Sequence, residues 1–377
     1  MKILLTGGGT GGHFFPLIAV AQGLNKLASE KQLADFKLYY LAPEPFNEKL
    51  LAENNITFIK GSAGKVRRYF SLRNFLDIFR TGFGMIRALW TMYKLYPDVV
   101  FAKGGYASVP AIFAAWFFNI PIVVHESDSV PGRTNKWAGK VARRIALSLP
   151  EAAQYFPKEK TAFTGNPIRR EILTPLKDGA KELLRLEPSI PVILVLGGSQ
   201  GAQIINENII EALPELVKRF SIIHQTGKNN FEAVQKSAAA LLENDPQKER
   251  YNPFADLENE ALRMAGGVAD LAVSRAGSMI FEIAAWGVPA ILIPITDSNG
   301  DHQRKNAYNY ARTGAAIVIE ENNLTSHILV AEMNRLIDDP AELERMKNAA
   351  KGFARIDAAD LIAGEIMAIA LEHYKKA

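Results

Sequence analysis

The chain has 377 residues, of which 48% are hydrophobic and 22% charged, and a formal net charge of +4. This length exceeds what one compact core usually supports, so two domains are expected. The mild positive charge does not by itself indicate nucleic-acid binding, although it allows a local basic patch. The sequence has no cysteine, which excludes disulfides, thiolate metal sites and a cysteine nucleophile and is typical of a reducing compartment.

The N-terminus predicts no signal peptide, because Lys2 is followed by only three apolar residues before a run of glycines. The longest apolar stretch, Val109 to Val124, is interrupted by Asn119 and Pro121 and is too short to span a bilayer. It predicts a buried helix, a turn and a buried strand. We therefore expect a cytoplasmic protein.

Short apolar runs alternate with helical patterns along the chain, which indicates parallel sheets covered by helices on both faces. The candidate strands form two series, Lys2–Leu5, Phe36–Leu41, Val99–Ala102, Pro121–Val124 and Ile145–Leu147, then Val192–Leu196, Ser221–His224, Leu271–Ser274, Ala290–Ile293 and Ala316–Ile319. Each series opens with a strand, a glycine turn and a helix. The sequence therefore predicts an α/β protein of two doubly wound domains.

Residues 165–191 are rich in proline and charge and are typical of a connector. We place the first domain at 1–163, the second at 164–350, and a C-terminal helical segment at 351–377, which we expect to return to the first domain. Ligands of open α/β sheets bind at the carboxyl ends of the strands. Functional residues are therefore expected directly after strands.

The first glycine turn, Gly7-x-Gly9-x-x-Gly12, formally matches a dinucleotide fingerprint, but this pattern alone is weak. The acidic residue that a nicotinamide site needs after the second strand has only Glu44 as a candidate. A tight turn without a ligand is a further alternative. His13 falls in the first turn of the next helix, where it is either a polar cap or a general base, since its near-neutral pKa suits proton transfer.

Two further polar motifs follow strands in the first half of the chain. Residues 102–110 form another glycine turn. Residues 125–136 bring together His125, Glu126, Asp128 and Arg133, which is more polar chemistry than a helix N-cap requires. These residues are candidates for a site.

In the second half, Gly277 and Ser278 open a helix whose free N–H groups are suited to a diphosphate. Glu282 lies one turn into this apolar helix, where a carboxylate can accept both hydroxyls of a ribose or only favour the helix dipole. Asp301, His302 and Gln303 follow another strand and suit sugar hydroxyls.

Several common catalytic patterns are missing from the sequence. No D-x-D motif follows a strand, and no His/Asp/Glu cluster has metal-ligand spacing. There is no Gly-x-Ser-x-Gly elbow and no P-loop Lys-Ser/Thr. These observations argue against hydrolase, kinase and metal-dependent transferase chemistry.

Eight motifs, taken together and in order, resemble the MurG-type glycosyltransferases: "GGGTGGHFFP", "GGYASVP", "HES", "TGNPIR", "GGSQGA", "HQTGK", "SRAGS…FEIAAWGVPAILIP" and "DHQRKNA". The resemblance spans almost the whole chain. It implies a GT-B type fold, two Rossmann-like domains facing across a cleft. It implies a hexosyltransferase that inverts the anomeric carbon and needs no metal or other cofactor.

The implied substrates are UDP-N-acetylglucosamine, held by the C-terminal domain, and undecaprenyl-pyrophosphoryl-muramoyl-pentapeptide, met by the N-terminal domain. The product would be the lipid II intermediate of peptidoglycan synthesis, a process of cell-wall growth, cell shape and cell division. The resemblance implies no nucleic-acid partner. It places the protein peripherally on the cytoplasmic face of the cell membrane.

The resemblance also assigns roles to residues. The base would be His13, with Glu126 as the alternative. The residues implied in substrate binding are Thr10, Gly11, Gly12, Tyr106, Asp128, Arg169, Ser199, Ala255, Ser278, Met279, Ile280, Glu282 and Gln303.

Among these, Thr10 to Gly12 would line the sugar and acceptor side, and Arg169 and Ser199 would contact the donor's sugar or diphosphate. Ala255 would meet uracil, 278–280 the diphosphate and uridine, Glu282 the ribose, and Gln303 the N-acetylglucosamine. Two features depart from the family pattern. Asp128 stands where the usual H-E-Q-N has an amide, and the segment from Arg275 to Glu282 is one residue shorter.

Between Lys60 and Lys94 the sequence has eight basic residues and one acid, with aromatic residues interleaved. The candidate membrane patch consists of Arg73, Phe75, Phe79, Arg80, Arg87 and Trp90. Basic residues recur here every seven positions, so a continuous helix would align them in one stripe, unless Gly82 and Gly84 break it. The alternative is a core-packing helix with a solvated basic face.

Three other functions stay open at this stage. A nucleotide-sugar epimerase can use the same architecture without a lipid acceptor. A related glycosyltransferase would use another lipid, such as diacylglycerol. A non-catalytic sugar-binding protein would bind the ligand without turnover.

Overall fold

The computed structural model describes residues 1–64, 72–198 and 201–374, with the backbone alone at 72–78, 299 and 374. Two compact units divide the chain. Unit 1 comprises Met1–Arg169 and Ile356–Ala377, and unit 2 comprises Arg170–Arg355. The segment 164–169, which the sequence analysis gives to the second domain, packs with unit 1. The chain returns to unit 1 after Arg355 rather than at residue 351.

Unit 1 is built on a seven-stranded sheet with the order β3-β2-β1-β4-β5-β6-β7. Its strands are β1 (Lys2–Thr6), β2 (Lys37–Ala42), β3 (Ile56–Lys60), β4 (Val99–Ala102), β5 (Ile122–Glu126), β6 (Arg144–Leu147) and β7 (Thr161–Phe163). Every described pairing is parallel. The central strands are continuous apolar runs, because helices cover both of their faces.

Unit 2 repeats this plan with six strands in the order β10-β9-β8-β11-β12-β13. They are β8 (Val192–Leu196), β9 (Ser221–Gln225), β10 (Tyr251–Phe254), β11 (Leu271–Ser274), β12 (Ala290–Leu292) and β13 (Ala316–Val318). These pairings are also parallel. The predicted fold class, two doubly wound Rossmann-like sheets, is confirmed.

The helices connect the strands and cover the sheets. In unit 1 they are α1 (Gly11–Glu30), α2 (Glu48–Glu53), α3 (Leu72–Leu95), α4 (Val109–Phe117), α5 (Arg133–Val141) and α15 (Ala358–Tyr374). In unit 2 they are α6 (Arg170–Leu173), α7 (Ala180–Leu183), α8 (Gln203–Leu216), α9 (Phe231–Leu241), α10 (Asn259–Val268), α11 (Met279–Trp286), α12 (His302–Ala311), α13 (Ser326–Ile337) and α14 (Pro340–Phe353).

Each sheet reverses its strand order at one point, between β1 and β4 in unit 1 and between β8 and β11 in unit 2. Chain connections leave in opposite directions there, which opens a crevice at the carboxyl ends of the two strands. The glycine turns after β1 and β4 lie at the first point, and those after β8 and β11 at the second. Both reversal points therefore coincide with the motifs selected from the sequence.

Helix α15 packs on α1 and β4 and contributes Ile362, Ile366 and Met367 to the core of unit 1. Two ion pairs, Arg143 with Glu372 and Arg144 with Glu365, join it to the end of α5 and the start of β6. The last helix of the chain is thus an integral part of the first unit.

The ten predicted strands are present, with ends shifted by at most two residues, but β3, β7 and β10 were not predicted. All three are edge strands. β7 has three residues, and β10 contains Pro253 in its run "YNPF", which weakens the strand signal. Gly82 and Gly84 do not break the helix, since α3 continues through both. A Cβ at Gly84 would lie 1.8 Å from the Ser62 carbonyl oxygen, so this glycine permits close packing inside an unbroken helix.

Candidate active site

The glycine turn after β1 is shaped by its own neighbours. Gly9 has a φ of 96°, a conformation that favours glycine, and a Cβ there would lie 3.1 Å from the Tyr106 ring. The Tyr40 hydroxyl donates to the Gly7 carbonyl at 2.6 Å. The bare turn is therefore held from β2 and from the turn after β4, and it leads directly into the N-terminus of α1, where anions are favoured.

His13 lies in the first turn of α1 beside both glycine turns. Its Nδ1 is 2.9 Å from the Thr10 hydroxyl, and the Thr10 carbonyl accepts from the His13 and Phe14 amides. A Cβ at Gly105 would lie 3.5 Å from its Nε2. The structure thus brings Thr10, His13 and the 105–106 turn together, with the imidazole half-buried.

The aromatic residues after His13 form a platform for Arg169. The Arg169 guanidinium lies 4.1 Å from the Phe15 ring centroid, within the range of a cation–π contact. Phe15 packs edge-to-face on Phe14 and on Phe46. Arg169 is 3% exposed and belongs to unit 1. Its contact with Phe15 places it against α1, the helix that follows the glycine turn at the reversal point of unit 1.

Glu126 ends β5 and organises the loop that follows. Its carboxylate accepts from the Asp128 amide at 2.9 Å, the Gly132 amide at 3.2 Å and Asn135 Nδ2 at 2.9 Å. Burial and the nearby Asp128 raise the pKa of Glu126 to about 7, although Lys103 and these hydrogen bonds oppose the rise. Strand β5 ends two residues later than predicted, so His125 and Glu126 lie in the strand rather than after it.

His125 is fully buried. Its Nε2 lies 3.2 Å from the Gly165 carbonyl and 3.1 Å from the Ser148 hydroxyl. Burial and the positive charge of Lys103 hold its pKa well below the usual value. His125 therefore joins β5 to the segment 164–169, rather than presenting a titrating group to solvent.

In unit 2, the turn after β8 carries Ser199, which lies outside the described residues. The turn ends at Gly201, which is packed so closely that a Cβ would lie 2.3 Å from the Thr226 carbonyl oxygen. Next to it, His224 Nδ1 lies 2.9 Å from the Tyr251 hydroxyl and Nε2 lies 3.0 Å from Asn206 Oδ1. Burial lowers the pKa of His224 to about 3, so the histidine of "HQTGK" is a neutral structural group.

The turn after β11 opens α11 as predicted. Arg275 anchors it by donating to the Ile293 carbonyl at 3.0 Å and to Glu321 Oε1 at 2.6 Å. Ser278 precedes the first residue of α11, Met279, and both are half-buried. The N–H groups of a first helical turn point outward along the axis, where they can bind an anion.

The predicted donor residues differ in accessibility. Glu282 is half-buried on α11, whereas the Ile280 side chain is fully buried and its amide donates to the Gly277 carbonyl. Only the backbone around Ile280 can therefore reach a ligand. Ala255, directly after β10, is half-buried. Gln303 is the second residue of α12, and its Oε1 accepts from the Ile295 amide at 3.2 Å.

Helix α3 carries an exposed aromatic and basic face. Phe83, Ile86, Trp90 and Tyr93 are each more than half exposed, and with Arg87, Leu89 and Phe118 they line a groove of about 830 Å³. Phe79 and Arg80 are also exposed, whereas the side chains of Arg73 and Phe75 lie outside the described residues. The buried face of α3, with Ala88 and Met92, packs on α4.

Sequence reasoning missed three groups of this site. Trp116 and Phe117 at the end of α4 are exposed near the aromatic face, although the apolar run predicts only a buried helix. The Arg275–Glu321 pair joins residues far apart in sequence. Lys103 was visible in "AKGGYASVP" as a charge between a buried strand and a glycine turn, which is an unusual place for lysine.

Within the described ranges, no group of three or more His, Asp or Glu side chains is placed to hold a metal ion. In the same ranges, no helix combines the length and apolar character needed to cross a bilayer.

Two parallel sheets, each with glycine turns and polar side chains at its reversal point, have the architecture of the GT-B fold class. Residues 3–147 match the glycosyltransferase family 28 N-terminal domain and residues 192–362 its C-terminal domain. The chain belongs to glycosyltransferase family 28, and within it to the MurG-type enzymes.

Three comparisons support this assignment. A Clostridium tetani protein is 34% identical over 92% of this chain and 93% of its own length. It is named UDP-N-acetylglucosamine--N-acetylmuramyl-(pentapeptide) pyrophosphoryl-undecaprenol N-acetylglucosamine transferase. The crystal structure of Acinetobacter baumannii MurG is similar with a TM-score of 0.71, at 27% identity and coverage of 97% and 99%. A Neisseria meningitidis UDP-GlcNAc 2-epimerase bound to UDP-GlcNAc has a TM-score of 0.67 at 16% identity, covering 97% and 100%, and shares the fold alone.

Proposed function

We propose that this protein transfers N-acetylglucosamine from UDP-N-acetylglucosamine to undecaprenyl-pyrophosphoryl-muramoyl-pentapeptide. The observation that carries this proposal is the relative named for this reaction, which is 34% identical over 92% of the chain. The polar turns at both reversal points support it, because each is suited to a phosphorylated ligand. The reaction would invert the anomeric carbon in one displacement. No metal would be required, because the protein itself offers groups for the departing diphosphate.

His13 is the proposed general base that removes the proton from the attacking sugar hydroxyl. Its contact with Thr10 orients the ring, so that one nitrogen is held by the protein and the other is directed to the turn at 105–106. Tyr106 is part of the same turn. The alternative base, Glu126, is 3% exposed and accepts two hydrogen bonds from its own loop and one from α5. This engagement favours His13 for proton transfer and Glu126 for holding the loop.

Unit 2 is proposed to hold the UDP donor. The N-terminus of α11, with Ser278 and Met279, would stabilise the diphosphate through its N–H groups and positive dipole end. Glu282 would accept the ribose hydroxyls, Ala255 would meet uracil through its backbone, and Gln303 would bind the sugar. Ser199 would contribute to the same diphosphate. Arg169, held on Phe15 in unit 1, would add positive charge as the UDP leaves.

The exposed face of α3 is proposed to dock on an anionic membrane, where the lipid-linked acceptor resides. Basic residues Arg80, Arg87 and Lys94 are exposed beside the aromatic groove, and aromatic residues favour the level of the lipid headgroups. Arg73 and Phe75 belong to the same predicted patch, and their side chains lie outside the described residues. The protein would then act peripherally, on the cytoplasmic face of the membrane, with no nucleic-acid partner.

The test is transfer of radiolabelled N-acetylglucosamine to a panel of lipid acceptors. We expect label in the muramoyl-pentapeptide lipid only, no change when EDTA is added, and an inverted anomeric configuration in the product. Label in diacylglycerol would indicate another acceptor class. Conversion of the donor sugar without an acceptor would indicate an epimerase, and binding without either reaction would overturn the enzymatic role. Loss of transfer with EDTA that Mg²⁺ restores would contradict the metal-free step.

A further inference from the structure

The residue directly after β4 is a lysine buried inside unit 1. The Lys103 amide donates to the Thr6 carbonyl at 2.9 Å, so its backbone stays next to the end of β1. A Cβ at Gly7 would lie 3.0 Å from the Lys103 Cβ. The side chain is 1% exposed. A buried ammonium is costly unless negative charges and hydrogen bonds compensate it, so this lysine requires partners.

The partners of Lys103 come from the loop after β5. Its Nζ donates to the Ser127 hydroxyl at 3.0 Å. Burial lowers the pKa of Lys103, whereas the negative charges of Glu126 and Asp128 raise it. Conversely, Lys103 lowers the pKa of Glu126, which burial and Asp128 raise. One cation and two carboxyl groups therefore form a single electrostatic unit at the ends of β4 and β5.

This unit controls the shape of the loop that carries Asp128. Glu126 accepts from the amides of Asp128 and Gly132, and Ser127 accepts from Lys103. Two adjacent carboxylates would repel each other in a partly buried site. The positive charge of Lys103 offsets part of this repulsion. It also compensates for the carboxylate at position 128, where the family pattern described above has a neutral amide.

We propose that Lys103 is a positioning residue of the acceptor side, which neutralises Asp128 and Glu126 and holds the 126–132 loop in its binding conformation. This inference rests on the proposed function, since Asp128 is assigned to substrate binding there. Lys103 itself acts through its neighbours. Its ammonium is covered and donates to Ser127, so it does not contact substrate.

The test compares Lys103→Met, Asp128→Asn and the double variant, with Lys140→Met on the exposed surface of α5 as the matched control. Lys103→Met is expected to lower kcat/KM for the lipid acceptor, and UDP affinity should not change. The double variant should be about tenfold more active than Lys103→Met, because coupled charges give non-additive effects of this size. Ser127→Ala should cause a smaller loss in the same parameter. Equal activity of Lys103→Met and the double variant would overturn the proposal.

A pH profile separates positioning from simple packing. In Lys103→Met, Glu126 loses the cation that lowers its pKa, so its ionisation at alkaline pH brings two carboxylates together. The acceptor kcat/KM of this variant should therefore fall as the pH rises, and the fall should disappear in the double variant. The other titratable neighbour, His125, also loses the cation that lowers its pKa. This loss changes the pH profile only at acidic pH. A profile parallel to that of the wild type would contradict the proposal.

The same variants distinguish this proposal from the proposed function. If the wild type transfers no sugar to the lipid, the proposed function fails, and the charge coupling is measured as thermal stability instead. Asp128→Asn should then restore the melting temperature, or the soluble folded yield, that Lys103→Met loses. A double variant no more stable than Lys103→Met would refute the coupling without reference to activity.

Discussion

The two units share one topology, but they place different chemistry at their reversal points. In unit 1, the ends of β4 and β5 carry Lys103, Glu126 and Asp128, which are ionisable groups within a buried environment. In unit 2, the strands in the corresponding places are β11 and β12, and Arg275 after β11 forms an ion pair with Glu321. The neutral network of His224, Asn206 and Tyr251 lies on the other side of the reversal point, at β9 and β10. The anion-binding potential of unit 2 lies in the N-terminus of α11. Under the proposed assignment, unit 1 would provide proton transfer and unit 2 would bind the diphosphate.

This difference shows that the doubly wound fold fixes where a ligand binds, whereas the side chains after the strands decide which chemistry takes place. A change in unit 1 should affect turnover and acceptor kinetics, and a change in unit 2 should affect the nucleotide. The predictions below test this division of labour, beginning with the largest effect.

Replacing the proposed base should produce the largest change. His13→Ala is expected to lower kcat about 10²–10⁴-fold, the usual contribution of general base catalysis. UDP affinity, measured by calorimetry, should stay the same because His13 belongs to unit 1. His327→Ala, an exposed histidine on α13, is the control. A wild-type rate in His13→Ala would transfer the role to Glu126 or eliminate a base from this position.

A carboxylate of unit 2 should show the opposite pattern. Glu282→Ala is expected to weaken UDP binding by about 1.5–3 kcal/mol, the value of hydrogen bonds to a charged group. The acceptor KM should change little. Glu344→Ala, an exposed carboxylate on α14, is the matched control, and calorimetry with UDP is the measurement. Unchanged affinity would place the ribose contact elsewhere.

The neutral network of unit 2 predicts an acid-sensitive stability. Asn206 Nδ2 donates to the Thr226 carbonyl at 3.0 Å, so its Oδ1 accepts from His224 Nε2 and Nδ1 accepts from Tyr251. The folded unit holds His224 neutral down to a pKa of about 3, whereas the unfolded chain binds a proton below about pH 6.5. The free energy of unfolding should therefore fall with the pH, by about 1.7 kcal/mol between pH 6.5 and 5.

His224→Gln is the variant that isolates this effect. Glutamine offers one donor and one acceptor, and it does not titrate. Hydrogen exchange of β9 at pH 5 and 7 should show a smaller difference in protection for this variant than for the wild type. His125→Gln should act in the same way on β5 in unit 1, because His125 is also held neutral by burial. An acid dependence that neither variant changes would contradict this origin.

Much of the fold and of the site could be predicted because the local signals are strong. The central strands are apolar runs that end at glycine turns, as in β1 and β8, and parallel sheets bring such ends together. Edge strands such as β10 were missed because "YNPF" has no apolar run and contains proline. Its pairing depends on the neighbouring β9, which a local pattern does not reveal.

Contacts between residues distant in sequence could not be predicted from spacing. Arg169 is separated from Phe15 by most of unit 1, and only the fold places its guanidinium on that ring. In the same way, Lys103 and Ser127 meet because β4 and β5 are neighbours. Sequence patterns predicted the glycine turns that the structure places at the reversal points of the two sheets. The charge balance within the site required the three-dimensional arrangement.

The exposed face of α3 is a feature of unit 1. Substitutions there are expected to have the smallest effect per residue, which is on membrane binding. The hydrophobic side of α3 is shared between two environments, since Ala88 and Met92 pack on α4 while Phe83 and Trp90 are 62% and 58% exposed. Such exposure is unfavourable in water and favourable at a membrane interface. Arg80 and Arg87 are exposed on the same helix, and each basic residue close to an anionic surface contributes about 1 kcal/mol.

Arg80→Glu combined with Arg87→Glu should therefore weaken binding to anionic vesicles, and the loss should be larger at low salt because the Debye length is longer there. Trp90→Ala should weaken binding at all salt concentrations, since it removes apolar contact rather than charge. Both changes should slow transfer to acceptor in membranes and spare a water-soluble acceptor analogue. Arg335→Glu with Arg345→Glu, on exposed helices of unit 2, controls for net charge. Because the unit 2 variant carries the same charge change, equal vesicle binding by the two would mean that overall charge, rather than the α3 face, determines attachment.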